Sequence, residues 1–161
     1  MVMRFRVGQG FDVHALVPGR RLVLAGVELA HPQGLLGHSD ADVLAHAVID
    51  ALLGAAGLGD IGGRFPDTDE RYRGADSMQL LVQAVAAVHE QGWRIGNVDC
   101  TLVAQQPKIA PYVPAMRSRL AQALQVPLDA VSVKGKTTEW LGFTGRGEGV
   151  AALAVAALLG D

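Results

Sequence analysis

The stretch Arg4-Phe5-Arg6-Val7-Gly8-Gln9-Gly10-Phe11-Asp12-Val13-His14 decides how the chain is read. Phe5, Val7, Phe11 and Val13 fall on every second position, the period of a β-strand, so Arg4–Val13 is predicted as the first strand. Gly8 and Gly10 inside it mark a bulge or a close approach of backbone. Asp12 and His14 are two residues apart, so on a strand they point to the same face. A carboxylate oxygen beside an imidazole nitrogen is a donor set that zinc takes, with three protein ligands and an open position in catalytic sites. A third ligand is then needed, and His38 and His46 are the candidates. His46 falls on a predicted helix, which holds a ligand rigidly, with Asp42 and Asp50 one turn away on either side as carboxylates able to fix its tautomer. His38 precedes that helix, in a segment better suited to touching substrate. The competing reading is two unrelated surface histidines and an aspartate at a strand end.

Working outward, Arg21–Leu29 reads as a short hairpin turning at Ala25-Gly26, and His31–Gly37 as loop. Ser39 is predicted to cap a helix with Asp40 and Asp42 in its first turn, where the helix dipole favours acids, ending near Leu53 at Gly54. Gly57–Gly74 is polar and broken by Gly62, Gly63 and Pro66, a long functional loop. Asp76–Gln91 is an amphipathic helix capped by Asp76 or Ser77. Arg94–Gln105 alternates as a strand, with Val98, Cys100, Leu102 and Ala104 on one face. Pro107–Pro111 breaks the chain before a helix at Pro114–Leu124 and a short strand at Val131–Lys134. Lys136–Gly149 is a second polar loop. The apolar run Val150–Leu159 fits a buried strand or a buried helix equally by period. The class is therefore α+β or α/β.

The chain has 161 residues, enough for one domain with one core. Half of them are hydrophobic and 19% charged, which excludes a disordered chain. With 14 basic and 16 acidic residues and no basic stripe, nucleic acid is not an expected partner. No signal-like segment opens the sequence, and the longest apolar run falls short of the ~18–20 residues that span a bilayer. Cys100 is alone, which fits a reducing compartment, and its alternation with Val98 and Leu102 makes it a core residue. A soluble cytoplasmic protein is expected, with an apolar excess that points to buried subunit interfaces.

Other stretches bear on chemistry. Gly135-Lys136-Thr137-Thr138 resembles the end of a phosphate-binding P-loop, but Ala130 stands where the first glycine is required and a strand precedes it, so an NTPase loop is rejected. Its backbone N–H groups, hydroxyls and lysines still suit phosphate. Glu139 next to them offers a hard oxygen ligand for magnesium or manganese, or is an ordinary loop carboxylate. Asp60-Ile61-Gly62 and Phe65-Pro66-Asp67-Thr68-Asp69 place carboxylates that could accept from sugar or polyol hydroxyls, or are turn chemistry. His31 and His89 read as structural or solvated.

These segments, in this order, resemble the 2-C-methyl-D-erythritol 2,4-cyclodiphosphate synthase family over nearly the whole chain. The resemblance rests on Gly10–His14, His38–Val43 with His46, Leu58–Gly62, Phe65–Asp69, Gly96–Asp99, Pro107-Lys108, Thr137–Glu139 and Leu141–Gly149. It implies an enzyme of the non-mevalonate isoprenoid pathway that converts 4-diphosphocytidyl-2-C-methyl-D-erythritol 2-phosphate into the cyclic diphosphate and CMP. It implies one zinc-like cation on Asp12, His14 and His46, and one magnesium or manganese ion on Glu139, per active site. Asp12, His14, His38 and Ser39 would meet the methylerythritol phosphate, and Asp60 the ribose. Ile61, Gly62, Phe65, Pro66, Asp67, Thr68 and Asp69 would line the substrate. Ala104, Gln105, Gln106, Pro107, Lys108, Ile109 and Ala110 would recognise cytosine, and Thr137 and Thr138 would lie along the phosphates. His38 and Thr137 are the expected catalytic residues. Lys136, where members often have a small residue or threonine, is either a phosphate contact or solvated.

The resemblance also implies a homotrimer with active sites between subunits, and reads Val150–Leu159 as a strand. Phe143 and Arg146 would line a central cavity able to take an isoprenoid diphosphate, or Arg146 would pair with Glu148. The expected architecture is α+β: a single domain over 1–161, with a mixed four-stranded sheet, helices on one face and a small hairpin. The rival enzyme is a metal-dependent phosphohydrolase; the rival of another class is a non-catalytic cytidine-nucleotide or isoprenoid-diphosphate binding module.

Overall fold

In the computed structural model, which describes residues 3–160, the first strand, β1, spans Arg4–Pro18. Met1, Val2 and Asp161, at the ends of the predicted domain, lie outside the described residues. β1 runs past the predicted Val13 because its second half has two partners. From Arg4 to Ala15 it pairs antiparallel with β7 (Gly149–Gly160), and Leu16–Pro18 pair with β4 (Gln33–Leu35). The sheet order is β4-β1-β7-β5-β6. β5 (Arg94–Val103) is antiparallel to β7, and β6 (Val131–Lys136) is parallel to β5. The sheet thus has five strands and not four. The additional one, β4, lies within the stretch predicted as loop, and three residues are too few to display a period of two. The run at 150–159 is a central strand flanked on both edges, which accounts for its nearly continuous apolar sequence.

β2 (Leu22–Leu24) and β3 (Val27–Leu29) form the expected hairpin, with Ala25 and Gly26 both at positive φ in the turn. Helix α1 (Val43–Ala56) lies across β1 and β7. Its cap is Asp42, not Ser39. The Asp42 carboxylate accepts from Ala45 N at 3.0 Å and also from Ala25 N and Gly26 N at 2.8 and 2.7 Å, so it ties the helix to the hairpin turn. The helix continues through Gly54 and ends at Gly57, whose φ of 73° is the left-handed conformation glycine tolerates. α2 (Ile61–Arg64) and a 3-10 turn at Glu70–Tyr72 occupy the loop predicted over 57–74. α3 (Ser77–Glu90), capped by Asp76, packs on α1, and α4 (Val113–Leu124) packs on α3 and β6. A short α5 (Gly142–Gly145) interrupts the second polar loop. No helix among the described residues is long and apolar enough to cross a membrane.

The inner face of β1 is its glycine face. Gly8 and Gly10 are buried against α1, while Phe5, Val7, Phe11 and Val13 point outward and are 71%, 61%, 56% and 42% exposed. The core lies between the sheet and the helices, around Leu44, Ile49, Leu52, Leu81, Leu102 and Met116. Cys100 is buried within it, and burial pushes its thiol up to about 12.

Candidate metal centre and substrate clefts

β1 and α1 bring three ligand atoms to one point. Asp12 Oδ2 lies 3.0 Å from His14 Nε2 and 3.0 Å from His46 Nδ1, and the two imidazole nitrogens are 3.2 Å apart. Of the two histidines proposed as third ligand, His46 joins the pair; His38 does not. Among the described residues this is the one group of His, Cys, Asp or Glu that could hold a metal ion. The reason is geometric: inward side chains of a strand face a helix laid across it, and His46 sits on the helical turn facing Asp12.

Hydrogen bonds from outside the cluster fix which nitrogens face inward. His14 Nδ1 is 2.8 Å from the Leu36 carbonyl, which only accepts, so Nδ1 bears the proton and Nε2 presents a lone pair to the cluster. His46 Nε2 is 2.8 Å from Ser77 Oγ. The carboxylates at positions 42 and 50 do not fill the place expected for them beside His46. Asp42 caps the helix, and Asp50 accepts from Ile61 N at 2.7 Å. The sequence separation of 31 residues hid Ser77 as the actual neighbour.

A carboxylate oxygen and imidazole lone pairs at 3.0–3.2 Å repel unless a cation stands between them. The titration of the cluster has the same sign. Without an ion, protonated imidazoles fill that role: burial opposes ionisation of Asp12, yet hydrogen bonds donated by the protonated rings of His14 and His46 outweigh it and hold the carboxyl at about 2. Burial likewise disfavours charge on His14, and the hydrogen bond to Asp12 outweighs it and raises the imidazole. Two nitrogens and one carboxylate oxygen with an open side are a donor set that fits zinc or a similar divalent ion.

The open side faces a cleft of about 390 Å³ lined by the triad with His38, Ser39, Ile61, Gly62, Phe65, Asp67 and Tyr72. His38 Nε2 is 3.2 Å from the Asp69 carbonyl. Asp60 caps α2 through Gly63 N, and Asp69 caps the following 3-10 turn and pairs with Arg71. Pro66 and Thr68 complete this rim in sequence.

A second cleft, about 440 Å³, is lined by Ala104, Gln105, Pro107, Lys108, Ile109, Ala110, Lys136 and Thr137. The Gln106-Pro107 peptide is cis. Gln106 lies in the same turn, outside the cleft lining. Glu139 and Thr138 follow at its edge in sequence; Thr138 donates to the Leu141 carbonyl, and Glu139, exposed, has a φ of 52°. The two clefts share no lining residue, and neither Glu139 nor the 104–110 turn lines the triad's cleft. Arg146 pairs with Glu148 at 2.9 Å, and Phe143 nearby is 42% exposed.

An α+β fold with an Asp/His/His cluster opening into a cleft fits the class of enzymes that use a divalent ion. The particular family follows from likeness. The family model described as the YgbB family matches residues 5–159. The 2-C-methyl-D-erythritol 2,4-cyclodiphosphate synthase of Desulfitobacterium hafniense (strain DSM 10664 / DCB-2) is 60% identical over 154 residues, covering 96% of this chain and 98% of that protein. That of Dechloromonas aromatica (strain RCB) is 62% identical over 154 residues, covering 96% of each. Among solved structures, the bifunctional IspDF from Campylobacter jejuni matches with a TM-score of 0.96 at 46% identity over 99% of this chain, which spans 43% of that longer protein. The IspF–CDP complex from Plasmodium falciparum matches with a TM-score of 0.86 at 32% identity, covering 98% of this chain and 97% of that one. The chain belongs to the YgbB family, that of the 2-C-methyl-D-erythritol 2,4-cyclodiphosphate synthases.

Proposed function

We propose that this chain, as one domain in the cytoplasm, closes 4-diphosphocytidyl-2-C-methyl-D-erythritol 2-phosphate into 2-C-methyl-D-erythritol 2,4-cyclodiphosphate and releases CMP, a step of isoprenoid precursor synthesis. The observation that carries this reading, beside family membership, is the convergence of Asp12 Oδ2, His14 Nε2 and His46 Nδ1 at the mouth of the first cleft. The substrate contains its own nucleophile. An oxygen of the 2-phosphate attacks the β-phosphorus, the new P–O bond closes the ring, and the bond from the β-phosphorus to the oxygen of the departing CMP breaks. No side-chain nucleophile is needed, which agrees with a lone cysteine buried in the core.

Asp12, His14 and His46 would hold zinc, and Glu139 magnesium or manganese. Bound there, the two ions supply positive charge that polarises the β-phosphate and neutralises the leaving phosphate. The chain's own residues position the rest. His38 and Ser39 border the triad and meet the methylerythritol phosphate. Asp60 keeps one oxygen on Gly63 N and offers the other to the ribose hydroxyls. Residues 61–69 wall the substrate, the 104–110 turn reads cytosine through backbone groups, and Thr137 holds a phosphate while Lys136 adds charge beside it. Such positioning of an intramolecular attack is worth ~7–11 kcal/mol.

The same reading makes the enzyme a homotrimer. The outward side chains of β1, with Val155 of β7 at 43% exposure, form an apolar sheet face. A second and third copy would cover it, and would set the first cleft of one chain against the second cleft of the next. Three copies of Arg146 and Phe143 around the axis would line a cavity for an isoprenoid diphosphate, with Glu148 balancing the charge. CMP release measured with and without divalent ion, with the co-product resolved by phosphorus NMR, tests the reading. Cyclic diphosphate supports it; linear phosphates identify a phosphohydrolase, and no turnover identifies a binding module.

A further inference from the structure

We propose that Asp40 and Ser77 are positioning residues that lock His46 in the tautomer protonated at Nε2, and so present Nδ1 as its ligand atom. The inference rests on the metal reading of the triad for its consequence, and on hydrogen-bond direction for its substance. Ser77, at the start of α3, is fully buried, with its hydroxyl among three partners, Asp40, His46 and, at 3.4 Å, Ser39 Oγ. One is Asp40 Oδ1, in a short contact; Asp40 Oδ2 accepts the Ser77 backbone N–H at 3.1 Å, and Asp40 Oδ1 also accepts from Asp42 N at 3.1 Å. A carboxylate only accepts, so the Ser77 hydroxyl hydrogen points to Asp40. Its oxygen is then left as an acceptor toward His46 Nε2, 2.8 Å away, and that nitrogen must be the donor.

The other groups at this nitrogen agree. Ser39 Oγ lies 3.3 Å from Nε2, farther than Ser77, accepts from Ala41 N at 3.2 Å, and has Ser77 Oγ at 3.4 Å as the acceptor for its own hydrogen. With the imidazole proton on Nε2, the Nδ1 lone pair faces Asp12 and His14. The relay also joins distant parts of the chain: Asp40 N donates to the Ala75 carbonyl and Gly74 N to the His38 carbonyl, so the start of α3 and the loop before α1 form one support under His46. Outer partners of this kind fix a ligand's tautomer and ring orientation, and removing them typically lowers metal affinity about 10–100-fold.

Two measurements on the full-length protein test this. The first is nitrogen NMR of the imidazoles in metal-free Asp12→Ala, which removes the carboxylate that would otherwise draw a proton onto His46 Nδ1, at about pH 9, well above the ordinary imidazole range. His46 is expected to bear its proton on Nε2; a proton on Nδ1 overturns the relay whatever the metal does. The second is zinc affinity by chelator competition. Ser77→Ala is expected to raise the zinc Kd about 10–100-fold, with Ser77→Thr restoring it. Asp40→Asn should behave like Ser77→Ala, because its amide either faces the Ser77 N–H, donor against donor, or turns the hydroxyl hydrogen toward His46. Unchanged affinity in Ser77→Ala with an unchanged His46 tautomer overturns the proposal. Wild type that binds no zinc defeats the metal reading instead, and the tautomer measurement still decides the relay.

Discussion

Gly10 on β1 lies against the carbonyl of Ala47 on α1 so closely that a Cβ added to it would stand 1.8 Å from that oxygen. Gly8 repeats the contact one step down the strand, 2.0 Å from the carbonyl of Ala51. The two glycines therefore set the gap between strand and helix. The next inward residue of β1 is Asp12 and the helix residue before Ala47 is His46, so that gap is also what lets Asp12 Oδ2 and His46 Nδ1 meet at 3.0 Å.

Gly10→Ala should therefore damage both stability and metal binding. Carbonyl oxygen on a helix cannot give way like a flexible side chain, and overpacking of this kind costs about 1–3 kcal/mol or more. Denaturant unfolding in chelator and zinc titration of the same variant should both show a loss. Gly54→Ala is the control: nothing lies within 4 Å of its added Cβ in the same helix, and stability should hold or rise by up to ~1 kcal/mol.

The two proposed metal sites should separate by mutation. His46→Ala should abolish zinc binding and activity while far-UV circular dichroism persists. Glu139→Gln should keep zinc, measured by elemental analysis, yet lose activity roughly 100-fold or more at moderate magnesium, as expected when charge stabilisation of the leaving group is removed. Zinc lost along with Glu139 would refute this division of labour.

The metal centre was half legible in the sequence. Asp12 and His14 declare themselves by strand spacing, and Gly8 and Gly10 by their place in a strand. Ser77 does not, because its partnership with His46 is made across 31 residues by the packing of α3 on α1. Asp42 was legible as a helix-start residue but not as the cap, since its extra bonds to Ala25 and Gly26 depend on where the hairpin docks. The apolar alternation of β1 gives a strand, but it does not tell that the helices cover the glycine face and leave the apolar one exposed. β4 has no pattern of its own; its three residues become a strand because β1 extends past Ala15.

Metal-free protein should show a defined pH window. The Asp12 carboxyl falls from 3.8 to about 2 on folding, so its stabilising share is present above 3.8 and lost as pH falls toward 2. His14 is raised above 6.5, so its share is present below 6.5 and lost as pH rises through the folded value. Both act together between pH 3.8 and 6.5. The Asp42 carboxyl, pushed up to about 6 by burial, has the opposite slope from 3.8 to 6 and must be subtracted. The difference in Tm between wild type and Asp12→Asn, both in chelator, removes it. That difference should be largest inside the window, and saturating zinc should extend it to higher pH. A difference independent of pH would contradict the ionic character of the cluster.

The last prediction concerns where the active site is completed. The triad lines one cleft, the 104–110 turn and Thr137 line another, and no residue lines both. If a neighbour's second cleft completes the first, two separately inactive chains should rescue each other. His46→Ala keeps Glu139, and Glu139→Gln keeps the triad. In a cyclic trimer of mixed composition, one of the three boundaries sets an intact triad against an intact Glu139. Random mixing of equal amounts makes three trimers in four mixed, so co-expressed chains should recover about a quarter of wild-type turnover per site. Light scattering should give a trimer for each variant, and Val7→Lys, on the outward face of β1, should weaken assembly and activity together. No recovery in demonstrably mixed trimers would place the whole site within one chain.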